Sequence, residues 1–245
     1  MLHRTIVFLA LIFLVAACGT SINQSIDIAD GSLVDGDLTN VNGAIRVGTG
    51  AQVNGQVSNV NGSIQIGDES QVGKINNVNG SIRIGSGARV DGIESVNGGL
   101  GLGSRAHIRG DAGTVNGRVR GDDQIQIDGD LRTVNGGIEL GQGSEIGGVV
   151  RTTNGNINLD GVRAAGLETV AGNVTLSNGS QIEGELRVRR PGRMDSKVPS
   201  IIIGADCRVE GPLVFQRPVK LYVHENAQIG EVEGAEAKLF SGDAP

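Results

Sequence analysis

A three-residue signature, Val-Asn-Gly, recurs through most of the chain at nearly constant spacing. It begins at Val41, Val60, Val78, Val96, Val115 and Val134, and related tripeptides follow at Thr153 and Val170. Successive starts lie 19, 18, 18, 19, 19, 19 and 17 residues apart. A period of this length is typical of a solenoid, in which each repeat forms one coil that stacks on its neighbours.

Each repeat contains three short apolar segments that glycine-containing turns separate. In the unit that starts at Val78, Ile82 and Ile84 flank Arg83, as a strand with one buried face requires. The inward positions of this unit are predicted to be Ile82 and Ile84, then Ala88 and Val90, and on the third side Ile93 and Val96. The sequence therefore predicts an all-β fold, a single-stranded parallel β-helix (β-solenoid) with triangular coils of 18–19 residues.

The apolar pair of the first segment recurs eleven times, which predicts about eleven coils and a rod about 50 Å long. It is found at Ile26/Ile28, Ile45/Val47, Ile64/Ile66, Ile82/Ile84, Leu100/Leu102, Val119, Ile138/Leu140, Ile157/Leu159, Val174/Leu176, Ile201/Ile203 and Leu221/Val223.

The second segment of each coil has two inward positions, called slots here, of which the first holds a small residue and the second a larger one. Cys207 occupies a small slot, so we expect it to be buried and inert. Ile125 in a small slot, with Gly121 nearby, indicates a compensating exchange. The coil at 160–166 has no clear register.

The first seventeen residues have the pattern of an export signal. Arg4 precedes an apolar run of twelve residues, 6–17, which is too short to span a bilayer and has the length of a signal-peptide core. Its end, Leu14-Val15-Ala16-Ala17-Cys18, resembles the bacterial lipobox, which implies cleavage before Cys18 and acylation of that cysteine. Several acyl chains anchor a protein firmly. Residue 19 is glycine, not the aspartate that retains enterobacterial-type lipoproteins at the inner membrane, so we expect the cell envelope, at the outer membrane.

Charge and titratable residues argue against several classes of function. The formal net charge is −6, and −7 without Arg4, which disfavours nucleic-acid binding. His107 and His224 lie far apart with no cysteine nearby, so no metal site is predicted, and no cofactor motif is found. The acidic stretch 122–130 is expected to be solvated, and no two carboxylates stack at the outward position of the first segment. The chain is therefore predicted not to be an enzyme.

One polar position repeats together with the signature. Asparagine before glycine tolerates a left-handed backbone, and stacked side-chain amides can bond from coil to coil as a ladder. The predicted ladder has a structural role and consists of Asn42, Asn61, Asn79, Asn97, Asn116, Asn135 and Asn154.

The repeat is interrupted by an insertion of about eight residues near 189–199. The insertion is basic on an acidic chain, and inserted loops of solenoids often carry recognition. It is interpreted either as a site for an anionic envelope polymer such as lipopolysaccharide or as a solvated loop. Its cations are Arg187, Arg189, Arg190, Arg193 and Lys197.

The end of a solenoid exposes unpaired strand edges unless a further segment covers it. Residues 235–245 are predicted to form a cap or tail, with Leu239 and Phe240 over the last layer. The alternative is an uncapped end that pairs with another molecule.

The unit Val-Asn-Gly-Ser-Ile-Arg-Ile-Gly, residues 78–85, resembles the repeats of two bacterial groups. One group is the bactofilins, polymer-forming cytoskeletal proteins built as a right-handed triangular β-helix, and the other is a family of adhesin-like β-solenoids. The resemblance covers residues 26–234 and implies right-handed coils, although six-residue sides also suit left-handed ones. The export signal and the insertion depart from the bactofilin pattern.

The sequence predicts four segments: a lipoprotein signal peptide at 1–17, an N-terminal tether at 18–25, the β-solenoid at 26–234, and a cap or tail at 235–245. The leading hypothesis is a non-enzymatic envelope lipoprotein, anchored to the membrane through Cys18, that acts as a rigid scaffold or as a structural element that self-associates end to end. The alternatives are an adhesin or glycan-binding solenoid and, third, a polysaccharide-active β-helix enzyme.

Overall fold

The structure, a computed structural model, describes residues 14–15, 19–192, 197–242 and 244–245. Within these ranges every regular element is a β-strand, and none of the described segments forms a helix that could cross a bilayer. The strands pair in parallel, each with the equivalent strand one coil away. The chain is therefore a parallel β-solenoid of about eleven turns, as the repeat predicts.

The first face of the solenoid is a regular sheet of twelve strands. Ile82 is paired with Ile64 on one side and with Leu100 on the other, so the apolar pairs stack in register. The strands are Ile26–Ile28, Ile45–Val47, Ile64–Ile66, Ile82–Ile84, Leu100–Leu102, Val119–Gly121, Ile138–Leu140, Ile157–Asp160, Val174–Ser177, Ser200–Ile203, Lys220–His224 and Ala237–Phe240.

The second and third faces form one continuous twenty-stranded sheet that bends at a corner. Strands of the second face are Leu14–Val15, Leu33–Val34, Gln52–Val53, His107–Ile108, Gln126–Ile127, Gln181–Ile182, Arg208–Val209 and Gln228–Ile229. Those of the third face are Gly19–Ser21, Leu38–Asn42, Val57–Asn61, Ala112–Asn116, Leu131–Asn135, Leu186–Val188, Leu213–Phe215 and Val232–Glu233. Four strands run through the corner and belong to both: Gln71–Asn79, Arg89–Asn97, Glu145–Asn154 and Arg163–Thr169.

The core consists of thin stacked layers of aliphatic side chains from the three faces. Cys207 is 1% exposed in the slot that other coils fill with alanine or serine, which confirms its predicted burial. That burial raises the pKa of the Cys207 thiol, because the thiolate loses its hydration. The thiol is therefore kept neutral inside the rod.

The prediction that Val96 lines the third side is wrong. Ile93 is buried, and the strand alternates from there, so Ser95 points inward and Val96 is 41% exposed. The inward position that Ser95 occupies is polar in nearly every coil. The Thr114 hydroxyl, for example, donates to the Gly98 carbonyl at 2.9 Å. Asparagines and threonines at this position donate to turn carbonyls, whereas the Ser95 hydroxyl has no partner among the described residues. The valine of each signature is left outside.

The irregular layers have steric explanations. An added Cβ at Gly121 would lie 2.7 Å from Leu140 Cδ2 and 3.1 Å from Ile125 Cγ1, so Ile125 fills the space that Gly121 leaves, as the predicted exchange requires. The unassigned coil at 160–166 reverses the usual sizes: Val162 takes the small slot and Ala164 the large one.

Strands extend beyond residues 26–234 at both ends. Gly19–Ser21, within the predicted tether, already pairs with Leu38–Asn40, and the backbone of Leu14–Val15, within the predicted signal, lies beside Leu33–Val34. Ala237–Phe240 does not fold across the last coil. It adds as the twelfth strand of the first face beside Lys220–His224 and leaves Leu239 74% exposed.

Candidate functional site

The seven predicted asparagines form an unbroken hydrogen-bonded column along one edge of the rod. Asn97 donates from Nδ2 to Asn79 Oδ1 at 3.0 Å and accepts from Asn116 Nδ2 at 2.8 Å. The equivalent bonds link Asn42, Asn61, Asn79, Asn97, Asn116, Asn135 and Asn154 at 2.8–3.0 Å. The column starts one coil earlier than predicted, because Asn42 also donates to Asn23 at 3.0 Å. Since each amide is used by its neighbours, the column stabilises stacking rather than holding a ligand.

In the first three coils of the ladder the glycine after the asparagine, and not the asparagine, has a positive φ. None of the seven ladder asparagines has a positive φ, so that expectation is wrong, whereas Gly43, Gly62 and Gly80 have φ of 135–141°. A Cβ at Gly98 would overlap the carbonyl oxygen of Gly80, one coil away. Close approach of successive backbones at this corner therefore accounts for the glycine of the signature.

The acidic stretch at 122–130 supports the backbone. Asp123 accepts from the Gln142 amide at 2.9 Å, and Asp130 accepts from the Val149 amide at 2.8 Å, one coil further along. Asp128 Oδ2 lies 2.9 Å from His107 Nε2, within hydrogen-bond distance. Among the described residues no three His, Cys, Asp or Glu side chains are grouped so that they could hold a metal ion.

The outward charges on the first face pair with opposite charges in the next coil. Arg46 lies 3.0 Å from Asp27, and Arg120 lies 3.0 Å from Glu139. Exposed pairs of this kind contribute little stability, about 0–1 kcal/mol each. In these pairs a carboxylate faces a guanidinium, whereas glycoside hydrolysis needs two carboxylates that face one another.

The predicted basic loop is partly neutralised by the solenoid body. Arg187 Nε lies 2.8 Å from Glu185 Oε1, and this bond and charge raise the pKa of the Arg187 guanidinium. Arg189 Nη1 lies 3.3 Å from Glu168 Oε1, and Arg190 is exposed. Arg193 lies outside the described residues. Lys197 is exposed and lies where the insertion rejoins the solenoid. Its backbone carbonyl accepts a hydrogen bond from the Arg217 guanidinium.

Arg217 anchors the insertion and was not identified from the sequence. It is only 9% exposed, and its guanidinium donates to the Val170 carbonyl at 2.9 Å and to the Lys197 carbonyl at 2.6 Å. It follows Gln216 and precedes Pro218, outside any repeated position, so the periodicity carries no signal for it. The carboxyl end of the insertion is therefore fixed against an earlier coil.

A column of exposed aliphatic side chains, with the half-buried Val41 among them, runs along the third face, and we name it the valine stripe. Each member lies one coil from the next, directly beside the asparagine ladder. A groove of about 270 Å³ runs along its middle, past Val60, Val78 and Val96. The stripe consists of Ile22, Val41, Val60, Val78, Val96, Val115 and Val134.

The proposed lipidation residue, Cys18, lies outside the described residues. No protein-family model matches this chain, and neither the curated proteins nor the solved structures compared with it give a match. The fold alone therefore assigns the class, a parallel β-solenoid repeat protein.

Proposed function

We propose that this chain is a non-enzymatic envelope lipoprotein, a rigid rod that is anchored by acyl chains on Cys18 and associates with a second copy through its C-terminal end. The observation that carries the proposal is the uncapped last coil. Ala237–Phe240 pairs on one side only, and Leu239, which continues the apolar pair of the first face, remains 74% exposed.

The chemistry of this end fits a second copy of the chain. Ile229, Val232 and Ala235 pack against the core but are only partly buried, so a complete layer of the solenoid lacks a cover. An open strand edge also presents N–H and C=O groups that only another strand satisfies well. The last coil of another copy offers the same apolar layer and the same kind of edge, which a two-fold contact would bury.

A structural role also agrees with how the polar side chains are used. Turn aspartates bond to backbone amides of the next coil, the ladder amides bond to each other, and outward charges form pairs. These contacts stiffen the rod along its axis.

Electron microscopy and sedimentation of the purified protein test the association. We expect dimers that Leu239→Asp removes, because a buried carboxylate is costly at such a contact. Val60→Asp is the matched control, since Val60 is 39% exposed but lies towards the opposite end of the rod. A wild-type chain that stays monomeric at every accessible concentration would refute the association.

The anchor has a separate test. Mass spectrometry of the protein isolated from bacterial membranes should find the N-terminus at Cys18 with acyl chains attached, and Cys18→Ser should release the chain from the membrane. An unmodified Cys18 in the membrane fraction would contradict the lipoprotein proposal while leaving the rod intact.

Binding of an anionic envelope polymer is the second candidate, and the basic insertion supports it. Arg189 and Arg190 are exposed at the amino end of the insertion, directly after the third-face strand Leu186–Val188. If Arg189→Ala/Arg190→Ala left the affinity for lipopolysaccharide unchanged, this candidate would fail, whatever the result for the anchor or the association.

A further inference from the structure

The valine stripe is a straight row of aliphatic side chains on the surface of the third face. Its seven members span six coil steps, or about 29 Å at the spacing of stacked strands. From Val134 back to Val78 the distance is about 14 Å on the same scale, which is close to half of a bilayer hydrocarbon core. Scattered exposed aliphatic residues are ordinary, but a straight row of them indicates a binding surface.

Two arginines of adjacent coils stand at the C-terminal end of this stripe. Arg132 and Arg151 are direct partners in the parallel register of the third face, and Arg132 shares its strand with Val134. Like charges placed directly opposite one another destabilise a sheet. The two positive charges of this pair therefore repel one another unless negative charge lies nearby.

The two guanidinium groups are drawn apart by carboxylates on opposite sides. Arg132 passes over Gly113, which has no side chain, and its Nη2 lies 3.8 Å from Glu94. Arg151 Nε lies 3.1 Å from Glu168 Oε1, but no acceptor among the described residues is aligned for a hydrogen bond with this buried N–H. Neither guanidinium therefore has a hydrogen-bond acceptor aligned with it among the described residues, and both keep donors that an anion could use.

We propose that the third face binds a phosphate-headed lipid. Its phosphate lies between Arg132 and Arg151, and its acyl chain lies along the stripe from Val134 towards Val78. Arginine suits this task, because its planar donors match phosphate oxygens. The site is separate from the C-terminal end and shares only Glu168 with the inserted loop, where that carboxylate also pairs with Arg189. Its test uses Arg132 and Arg151, so it does not depend on either proposed function.

Isothermal titration calorimetry of the purified full chain with dodecyl phosphate, in detergent-free buffer below the micelle concentration, tests this site. We expect one molecule per chain and an affinity loss of about tenfold or more in Arg132→Gln/Arg151→Gln. Arg163→Gln/Arg208→Gln removes the same charge from the second face and should bind like the wild type. Val115→Thr keeps the side-chain shape but adds a hydroxyl to the stripe, and should weaken binding about threefold.

Three results would each overturn the proposal. The first is equal affinity in the two double-arginine variants, with circular dichroism showing that both are folded. The second is binding of uncharged dodecyl maltoside as tightly as dodecyl phosphate, which would remove the role of the arginines. The third is equal binding of inorganic phosphate, which would remove the role of the valine stripe.

Discussion

Replacing Gly98 by alanine tests whether stacking of the coils imposes the Val-Asn-Gly signature. Gly98 lies against Gly80 of the preceding coil, and an added Cβ would overlap the Gly80 carbonyl oxygen and lie 2.5 Å from its carbonyl carbon. Both are backbone atoms of stacked coils. Gly80 N–H donates to the Asn97 carbonyl at 2.8 Å, and Gly98 N–H donates to the Asn116 carbonyl at 3.1 Å. The overlap is therefore relieved only if coils move apart.

The expected loss follows from these contacts. Overpacking of a tightly packed site costs about 1–3 kcal/mol. Moving the coils apart also weakens these two backbone hydrogen bonds, each worth about 0.5–1.5 kcal/mol. Gly98→Ala should therefore lower the free energy of unfolding by about 3 kcal/mol or more.

Gly50→Ala is the matched control. Gly50 has a φ of +64°, but a Cβ there would meet nothing within 4 Å, so only backbone strain opposes the alanine. We expect a loss of about 1 kcal/mol, because the strain is partly offset by the lower entropy of the unfolded chain. Urea titration followed by far-ultraviolet circular dichroism measures both variants. Equal losses, or a neutral Gly98→Ala, would refute the stacking explanation.

Three further predictions concern the ladder, the buried thiol and the insertion. Asn97→Ala removes two ladder hydrogen bonds and Asn154→Ala removes one at the end, so urea titration should show about twice the loss of stability for the former, with about 1 kcal/mol per bond. Burial raises the pKa of Cys207, so its stabilising contribution is complete below the pKa of the unfolded thiol and is lost as pH rises through the folded value. A thiol reagent at neutral pH should modify Cys207 only in urea, as peptide mass spectrometry would reveal, and rapid native labelling would contradict its burial. Arg217→Ala should free the insertion, so trypsin should cleave within 189–199 several times faster than in the wild type, and an unchanged rate would show that Arg217 does not hold the loop.

Most of the fold can be predicted from the sequence because every coil of a solenoid repeats the same local structure. Ile82 and Ile84 define a strand with one inward face, and the same pair in other coils defines the stacking. The slot of Cys207 follows from the same alignment. A shift of one residue in the assignment, however, exchanges the buried and the exposed face of a strand. Val96 was assigned inward for its apolar character, but the alternation from Ile93 requires Ser95 there.

The candidate sites were harder to predict, since they depend on contacts outside the repeat. The asparagine ladder is visible in the sequence because its members recur with the signature. Arg217 carries no periodic signal, and its acceptors are carbonyl groups of Val170 and Lys197, which every residue possesses. The arginine pair at 132 and 151 becomes apparent only when the register places the two residues opposite one another.

Hydrogen bonds between coils run along the axis of the rod, and this direction determines how the molecule carries mechanical load. Tension applied between the two ends would open the bonds of one terminal coil at a time, as a zipper opens, rather than shear a whole sheet at once. Each released coil of 18–19 residues would lengthen the chain by about 60 Å. A rod that is stiff under compression would thus extend stepwise under tension, with each asparagine and glycine pair of the column marking one step.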